Sequence, residues 1–388
     1  MTATVSEPAW LAGKRAAARE LYDHLEVPTN REEAWRFTNL RGFDPDSYDM
    51  QPGGLTLGEA DLPDGVVFGS LATMAAERPE LVEPHYGTVV TGDEKFAAGN
   101  AAAWQDGVLL HVPAGVEVEV PLRVGVEVSG EGIGVHHRAL VVLERGARAT
   151  FVEEYSSTAA GYVNTVVELI IGDGARLEYV TTQKHHAETR QFGSHRAIVG
   201  RDAEVDWVVL GLGGTRAKSR IESYLAGPGA NAKVTGAYFL AGMEHADYDT
   251  TQEHAAPNTT SDLYFKGVLT DRARAVWRGV IRVDKGAQKT DAYQENRNLL
   301  LSRQAHADSI PGLEIKANDV RCTHGATIGQ IDRLQLFYLM SRGVSRAEAE
   351  QIIVRGFFQP ILDRIGSDEV RETLAAELEA RMGVAAQA

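Results

Sequence analysis

The stretch RGARATFVEEY (145–155) is followed by DGARLEYVTTQ (173–183), RDAEVDWVVLG (201–211), PGANAKVTGAY (228–238) and KGAQKTDAYQE (285–295). Each has a turn element, then an alanine, then a run in which apolar and polar residues alternate. The alanines are Ala147, Ala175, Ala203, Ala230 and Ala287, and the first three intervals are 28, 28 and 27 residues. The last gap, 57 residues, is about two such steps. A repeat in the range of about 20–50 residues is the mark of a solenoid. Strand texture without helical patterns between the strands points to a β-helix, in which each coil buries its inward residues on the next. A β-sandwich also gives short strands and turns. Its loops vary in length, however, and these units keep register.

Working outward, the whole stretch from about 100 to 320 is rich in Val, Thr and Gly and alternates in short runs, as in GVEVEVPLRV (115–124). On the N-terminal side, Leu11, Ala18, Leu21, Tyr22 and Leu25 predict an amphipathic helix over 11–25, which Pro28 ends. NREEAWRFTNL (30–40) follows, and the Gly/Pro/Asp-rich residues 42–65 read as loop. On the C-terminal side, Leu334, Phe337 and Tyr338 share a helical face that Gly343 should stop. Ser345-Arg346-Ala347-Glu348 is a capping box that starts a second helix. Its expected apolar stripe is Ile352, Ile353 and Phe357, with Pro360 interrupting it. A last helix over about 367–382 carries Val370, Leu374, Leu378 and Met382. The expected fold is mainly β, a right-handed parallel β-helix core with helical domains at both ends. The expected divisions are a helical and loop domain at 1–95, the β-helix at 96–328 and a helical domain at 329–388.

The formal net charge of −15 over 388 residues repels nucleic-acid phosphates and anionic lipid, so neither is an expected partner. No run of about 18 apolar residues occurs, and the first twenty residues hold no apolar core of signal-peptide length. A single cysteine, Cys322, allows no intrachain disulfide. The cytoplasm is the expected compartment.

The densest chemistry lies in DVRCTHGATIG (319–329). On a strand, Cys322 and His324 project to one face, where a thiolate and an imidazole suit iron or zinc. Two ligands do not complete a site. The rest would come from elsewhere in the chain, from a partner or from cargo. The same residues also fit a small buried hydrophobe and a hydrogen-bonded turn histidine. Gly325 would permit a backbone turn just past the pair. His136-His137 and His185-His186 are adjacent pairs, so the members of each point to opposite faces if they sit on strands. His245, Asp247, Glu253 and His254 fall in a polar stretch that reads as a solvated coil corner or, less simply, a metal site. No P-loop, dinucleotide fingerprint, C-x-x-C, H-E-x-x-H or G-x-S-x-G is present. β-Helices often host polysaccharide lyases or hydrolases, which is the competing reading, but such enzymes are usually secreted.

Four segments, in order and spacing, resemble the SufB/SufD family of iron–sulfur cluster assembly proteins: EEAWRFTNL (32–40), 95–122, 253–283, and LEIKANDVRCTHGATIGQIDRLQLFYLMSRGVSRAEAEQIIVRGFF (313–358). The form CTHGAT at 322–327 is similar to the SufD pattern within that family. The resemblance implies a non-catalytic scaffold rather than an enzyme. It implies pairing with a SufB-like subunit, or with a second copy of itself, through the β-helix end. It further implies docking of a SufC-like ABC ATPase by the C-terminal helices, for which Leu334, Phe337, Tyr338, Gly343, Ile352 and Phe357 are the candidates. No stably bound cofactor is expected. Transient iron or a nascent Fe–S cluster at the partner interface would meet His324, which matches the SufD histidine of that step, and Cys322.

Overall fold

The structure is a computed structural model and describes residues 6–385. The remaining ends of the expected terminal domains, 1–5 and 386–388, lie outside the described residues. Helix α1 (Ala9–His24) opens the chain, and a 3-10 turn at Glu33–Trp35 follows. The segment expected as loop carries two short strands, β1 (Asp49–Met50) and β2 (Gly54–Leu57). Next come β3 (Val67–Ser70), α2 (Leu71–Glu77), α3 (Pro79–Val82) and α4 (Lys95–Ala103).

The coils begin with β4 (Asp106–Val112), β5 (Leu122–Val128), β6 (Ile133–Leu143), β7 (Arg148–Ser157) and β8 (Gly161–Ile171). They continue through β9 (Arg176–Lys184), β10 (Arg190–Val199), β11 (Glu204–Gly211), β12 (Arg216–Leu225) and β13 (Asn231–Leu240). The last six strands are β14 (His245–His254), β15 (Thr260–Leu269), β16 (Arg274–Val283), β17 (Asp291–Leu300), β18 (His306–Ile315) and β19 (Arg321–Gln330). Three helices close the described chain: α5 (Arg333–Ser341), α6 (Arg346–Leu362) and α7 (Asp368–Ala385).

From β4 on, even-numbered strands stack in parallel in one sheet and odd-numbered strands in the other, ending in β18 and β19 respectively. This is a parallel β-helix. The cause is visible at one corner of each coil. Gly146, Gly174, Asp202, Gly229, Asn258 and Lys289 all have positive φ, between 52° and 76°. The amide of each donates to a carbonyl of the next coil, as Gly174 does to Arg201 (2.8 Å) and Gly229 to Pro257 (3.2 Å). The residue after each is small and buried: Ala147, Ala175, Ala203, Ala230, Thr259 and Thr290. The three alanines spaced by 28 residues therefore stand at equivalent points. Ala287 does not. The equivalent residues after Ala230 are Thr259 and Thr290, and Ala287 lies inside the longer corner between β16 and β17, its carbonyl accepting the Thr290 hydroxyl (2.9 Å). A threonine can replace alanine there because a local carbonyl satisfies the hydroxyl: Thr259 donates likewise to Ala256 (3.1 Å).

Inward residues fill the solenoid as in-register columns, such as Phe151, Tyr179, Trp207, Val234 and Leu263. The N-terminal segment covers the outer face of the even-strand sheet, where Trp35, Phe43 and Phe96 pack on Tyr162 and Phe192. The C-terminal helices cover the odd-strand sheet, with Val354, Phe358, Ile361, Val370, Leu374, Leu378 and Met382 on Val180, Val208, Phe239 and Val268. The buried stripe of α6 is thus Ala349, Val354, Phe358 and Ile361 rather than the expected Ile352, Ile353 and Phe357. Nor does Pro360 break that helix, which runs two residues further. So near the C-terminus, the lost amide removes one bond from a turn that is ending anyway.

Candidate functional site: the open end of the solenoid

β18 pairs only with β16, and β19 only with β17. Among the described residues, the last coil therefore presents two strand edges with nothing stacked above them. Their inward rows follow from register. Ala292, Gln294, Asn296 and Asn298 of β17 are buried, and Cys322, His324, Ala326 and Ile328 continue their columns. On β18, Ser309, Pro311, Leu313 and Ile315 continue Trp277, Gly279, Ile281 and Val283. One coil further in, these positions would be core. Here Leu313 (38%), Ile315 (41%) and Ile328 (45%) are exposed. Sequence reasoning missed these apolar residues, because nothing in the alternation marks which coil is last.

Cys322 and His324 share the inward face, as their spacing predicts. His324 is exposed at the mouth and its ring makes no hydrogen bond among the described residues. Cys322 is half-buried beside Val320 and Ala292. Burial, reinforced by the nearby Asp291 carboxylate, pushes its thiol above the usual range, so the free chain holds a thiol rather than a thiolate. Asp291 itself is held low by Arg321, which bonds it side by side with Nε at 2.9 Å. Gly325 makes no turn: β19 runs straight through it, and its Cα faces Glu295 on the outer side.

Beneath the mouth lies a polar layer that sequence reasoning also missed. Gln294 spans the lumen, its amide donating to the carbonyls of Gly279 (3.1 Å) and Gly312 (3.2 Å). Asn298 accepts from the Tyr238 hydroxyl (2.5 Å) and donates to Asn296 (2.6 Å). Fixed hydrogen bonds hold the penultimate coil rigid under an uncovered one. Among the described residues, no three of His, Cys, Asp and Glu converge as a metal site would require.

The other sequence candidates fall elsewhere. His137 points inward to Glu153 (2.9 Å) and His136 outward to Asn164 (3.0 Å). The stretch read as a solvated corner is strand β14, and most of its polar residues are buried. Its Asp247 is gripped by Lys218 (2.9 Å) and by Thr38 of the tryptophan motif (2.6 Å), which explains why so polar a run can be covered. Glu253 pairs with Arg196 and Arg282, and His254 with Thr259 and Ser261 (2.8 Å each). On the C-terminal helices, Leu334 (77%), Phe337 (70%), Tyr338 (57%) and Ile352 (45%) are exposed, while Leu336 faces inward. Gly343, at φ 90°, ends α5 as expected. Phe357 is half-buried with the Lys266 ammonium over its ring at 4.7 Å.

Fold and site together define a parallel β-helix protein with helical appendages and an uncovered terminal coil. A family model described as the SufBD core domain of SUF system FeS cluster assembly matches residues 126–357. The SufBD protein N-terminal region matches 53–124. Among curated proteins, the chain is 31% identical to an iron–sulfur cluster assembly SufBD family protein of Mycobacterium bovis, covering 98% of this chain and 95% of that one. It is 28% identical to the iron–sulfur cluster assembly protein SufD of Bacillus subtilis, over 97% and 95%. The chain belongs to the SufBD family of iron–sulfur cluster assembly proteins. Among the described residues, no helix is long and apolar enough to cross a membrane.

Proposed function

We propose that this chain is a SufD-like, non-catalytic scaffold subunit that supports cluster formation together with partners. The observation carrying this reading is the open coil: two unpaired strand edges, an exposed inward row of core-type residues, and Cys322 and His324 in that row. Unpaired edges of this length are a template for another chain. A SufB-like subunit, or a second copy of this chain, stacking on β18 and β19 would pair the edges and bury Leu313, Ile315 and Ile328. It would also bring its own ligands to the thiol and imidazole. One thiol per chain cannot hold a cluster, since cluster iron prefers several thiolates. Histidine suits a site that must later release its cargo, because neutral imidazole can ligate or relay a proton near pH 7. The exposed face of α5 would dock a SufC-like ATPase, and the compartment is the cytoplasm.

The test is reconstitution with a SufB-like subunit and a SufC-like ATPase. His324→Ala should leave folding and co-purification intact while cluster formation on the complex falls about tenfold or more, at least the scale of removing a group that supports a metal site. Wild-type cluster yield in that variant would make the histidine structural. Separately, Ile328→Asp should abolish pairing with the second β-helix subunit, and retained pairing would place that interface elsewhere.

A further inference from the structure

At the start of the even-numbered strands, one register row reads Arg190, Arg216, His245, Arg274 and His306. Ala246, Ala275 and Ala307 follow three of them and lie in the solenoid core, and Ala217 is buried likewise, so this row faces outward. Arg216, His245 and Arg274 are consecutive, at the roughly 4.8 Å spacing of neighbouring strands. In this row only Arg190 and Arg216 are direct like-charged neighbours, a pairing that repels, and the neutral His245 separates Arg216 from Arg274. Elsewhere on the solenoid arginines are paired with carboxylates: Arg138 has Glu168, Arg278 has Asp249, Arg282 has Glu314 and Arg220 has Glu94. Neither Arg216 nor Arg274 has an ion pair among the described residues.

Both arginines line a single cleft of about 1170 Å³, together with Arg272 and with Phe37 and Met243 at its rim. Arg272 is also without an ion pair, and Met243 is 71% exposed. The cleft holds carboxylates too, but two are engaged. Glu244 is gripped by Arg381 through both oxygens (2.5 and 2.6 Å), and Asp271 accepts from the Gly242 amide (2.9 Å). Arg381 Nε remains buried without a hydrogen-bond partner. Only Glu244 is neutralised by a cation, so Glu188 and Asp271 stand against the three unpaired guanidinium groups of Arg216, Arg272 and Arg274. His245 sits between the arginines with its ring held by Thr38 (3.2 Å), and burial keeps it neutral by lowering its pKa to about 4.

We propose that this cleft binds a small molecule carrying two or more phosphate groups, with Arg216 and Arg274 each taking an oxyanion and Phe37 and Met243 contacting its apolar part. Guanidinium forks match phosphate oxygens in charge and geometry. In a chain of net charge −15, attraction at long range is absent, so binding must come from this local array. The site is on the side of the solenoid and does not depend on how the open end is used.

The test is calorimetric titration of the full chain with inorganic tripolyphosphate in low salt, with citrate as a comparison. Saturable one-to-one binding is expected, weakening with salt. In the R216A/R274A double variant it should weaken by at least about tenfold, the effect of losing one good charged contact. Arg272→Glu at the rim should also weaken it, and Arg148→Ala, remote from the cleft, should not. Since these arginines have no ion pair, melting temperatures should not fall below the wild-type value. Absence of saturable binding, equal affinity in the double variant, or tighter binding of citrate than of tripolyphosphate would overturn the proposal.

Discussion

Glu168 shows how a single residue fixes the N-terminal segment to the solenoid. It is fully buried on β8, with Arg138 Nη2 at 2.6 Å and the amides of Gly87, Val89 and Val90 at 3.1, 3.0 and 3.2 Å. Asn100 also accepts from Arg138 (3.2 Å). Removing one partner of a buried pair strands the other charge, so Glu168→Leu should cost about 3–5 kcal/mol. Arg138→Met combined with Glu168→Leu should cost less than the two single changes together. Urea denaturation of the three variants measures both, and a near-neutral Glu168→Leu would show that the pair does not hold the segment down. At this scale the sequence was legible where chemistry is local. Cys322 and His324 share a face as their spacing says, and Ser345 forms its capping box with Glu348. It was opaque where burial comes from residues far along the chain. Nothing near Asp247 announces that Thr38, 209 positions away, covers it.

Among the elements, α5 carries an exposed apolar face. Leu334, Phe337 and Tyr338 contribute little to the fold, since surface changes usually stay within about 0.5 kcal/mol. Replacing all three with serine should therefore leave the melting temperature nearly unchanged while abolishing co-purification with a SufC-like ATPase. If the ATPase still binds at full strength, its dock lies elsewhere. α6 contributes less to such a surface than its sequence suggests. Apolar residues occur nearly all round it, so spacing alone could not separate the buried Val354, Phe358 and Ile361 from the exposed Ile352. Corner positions were misread for a similar reason. An alanine marks the coil until Thr259 and Thr290 replace it, and Asn258 and Lys289 replace glycine at the positive-φ position. What stays constant is a backbone conformation and a small inward side chain, and residue identity reports both only loosely.

For the whole molecule, the solenoid interior sets the response to acid. His185, His195 and His254 are buried, His185 bonded to Gln191 (2.7 Å), His195 to Thr165 (2.8 Å) and His254 to both Thr259 and Ser261. Burial chiefly lowers all three pKa values, to about 4, against an ordinary value near 6.5. Between these values the unfolded chain binds protons that the folded chain does not. Stability is therefore full above about pH 6.5 and declines as pH falls toward 4, by up to about 1.4 kcal/mol per pH unit for each group. Melting temperatures should drop steeply from pH 7 to pH 5. Replacing His254 with Gln should flatten part of that slope, and an unchanged slope would assign acid sensitivity to other groups. The parallel β-helix itself was readable because a coil repeats its demands. The location of the last coil was not, because an uncovered coil and a covered one obey the same alternation.

β19 and α5 are joined by Ile331 and Asp332 alone. Two linking residues span at most about 7 Å, and a peptide chain does not stretch. β19 is also bonded along one edge only, to β17, while every strand from β6 to β17 is held on both. Any body that seizes α5 and moves it is thus pulling on a short tether whose other end is a strand held along one edge. A displacement of a few ångströms there would peel Gln330 and Ile328 before it disturbed β17. Cys322 and His324 would be reached last, at the far end of the same strand. Hauling on the helix and opening the mouth of the solenoid are, in this chain, one mechanical act.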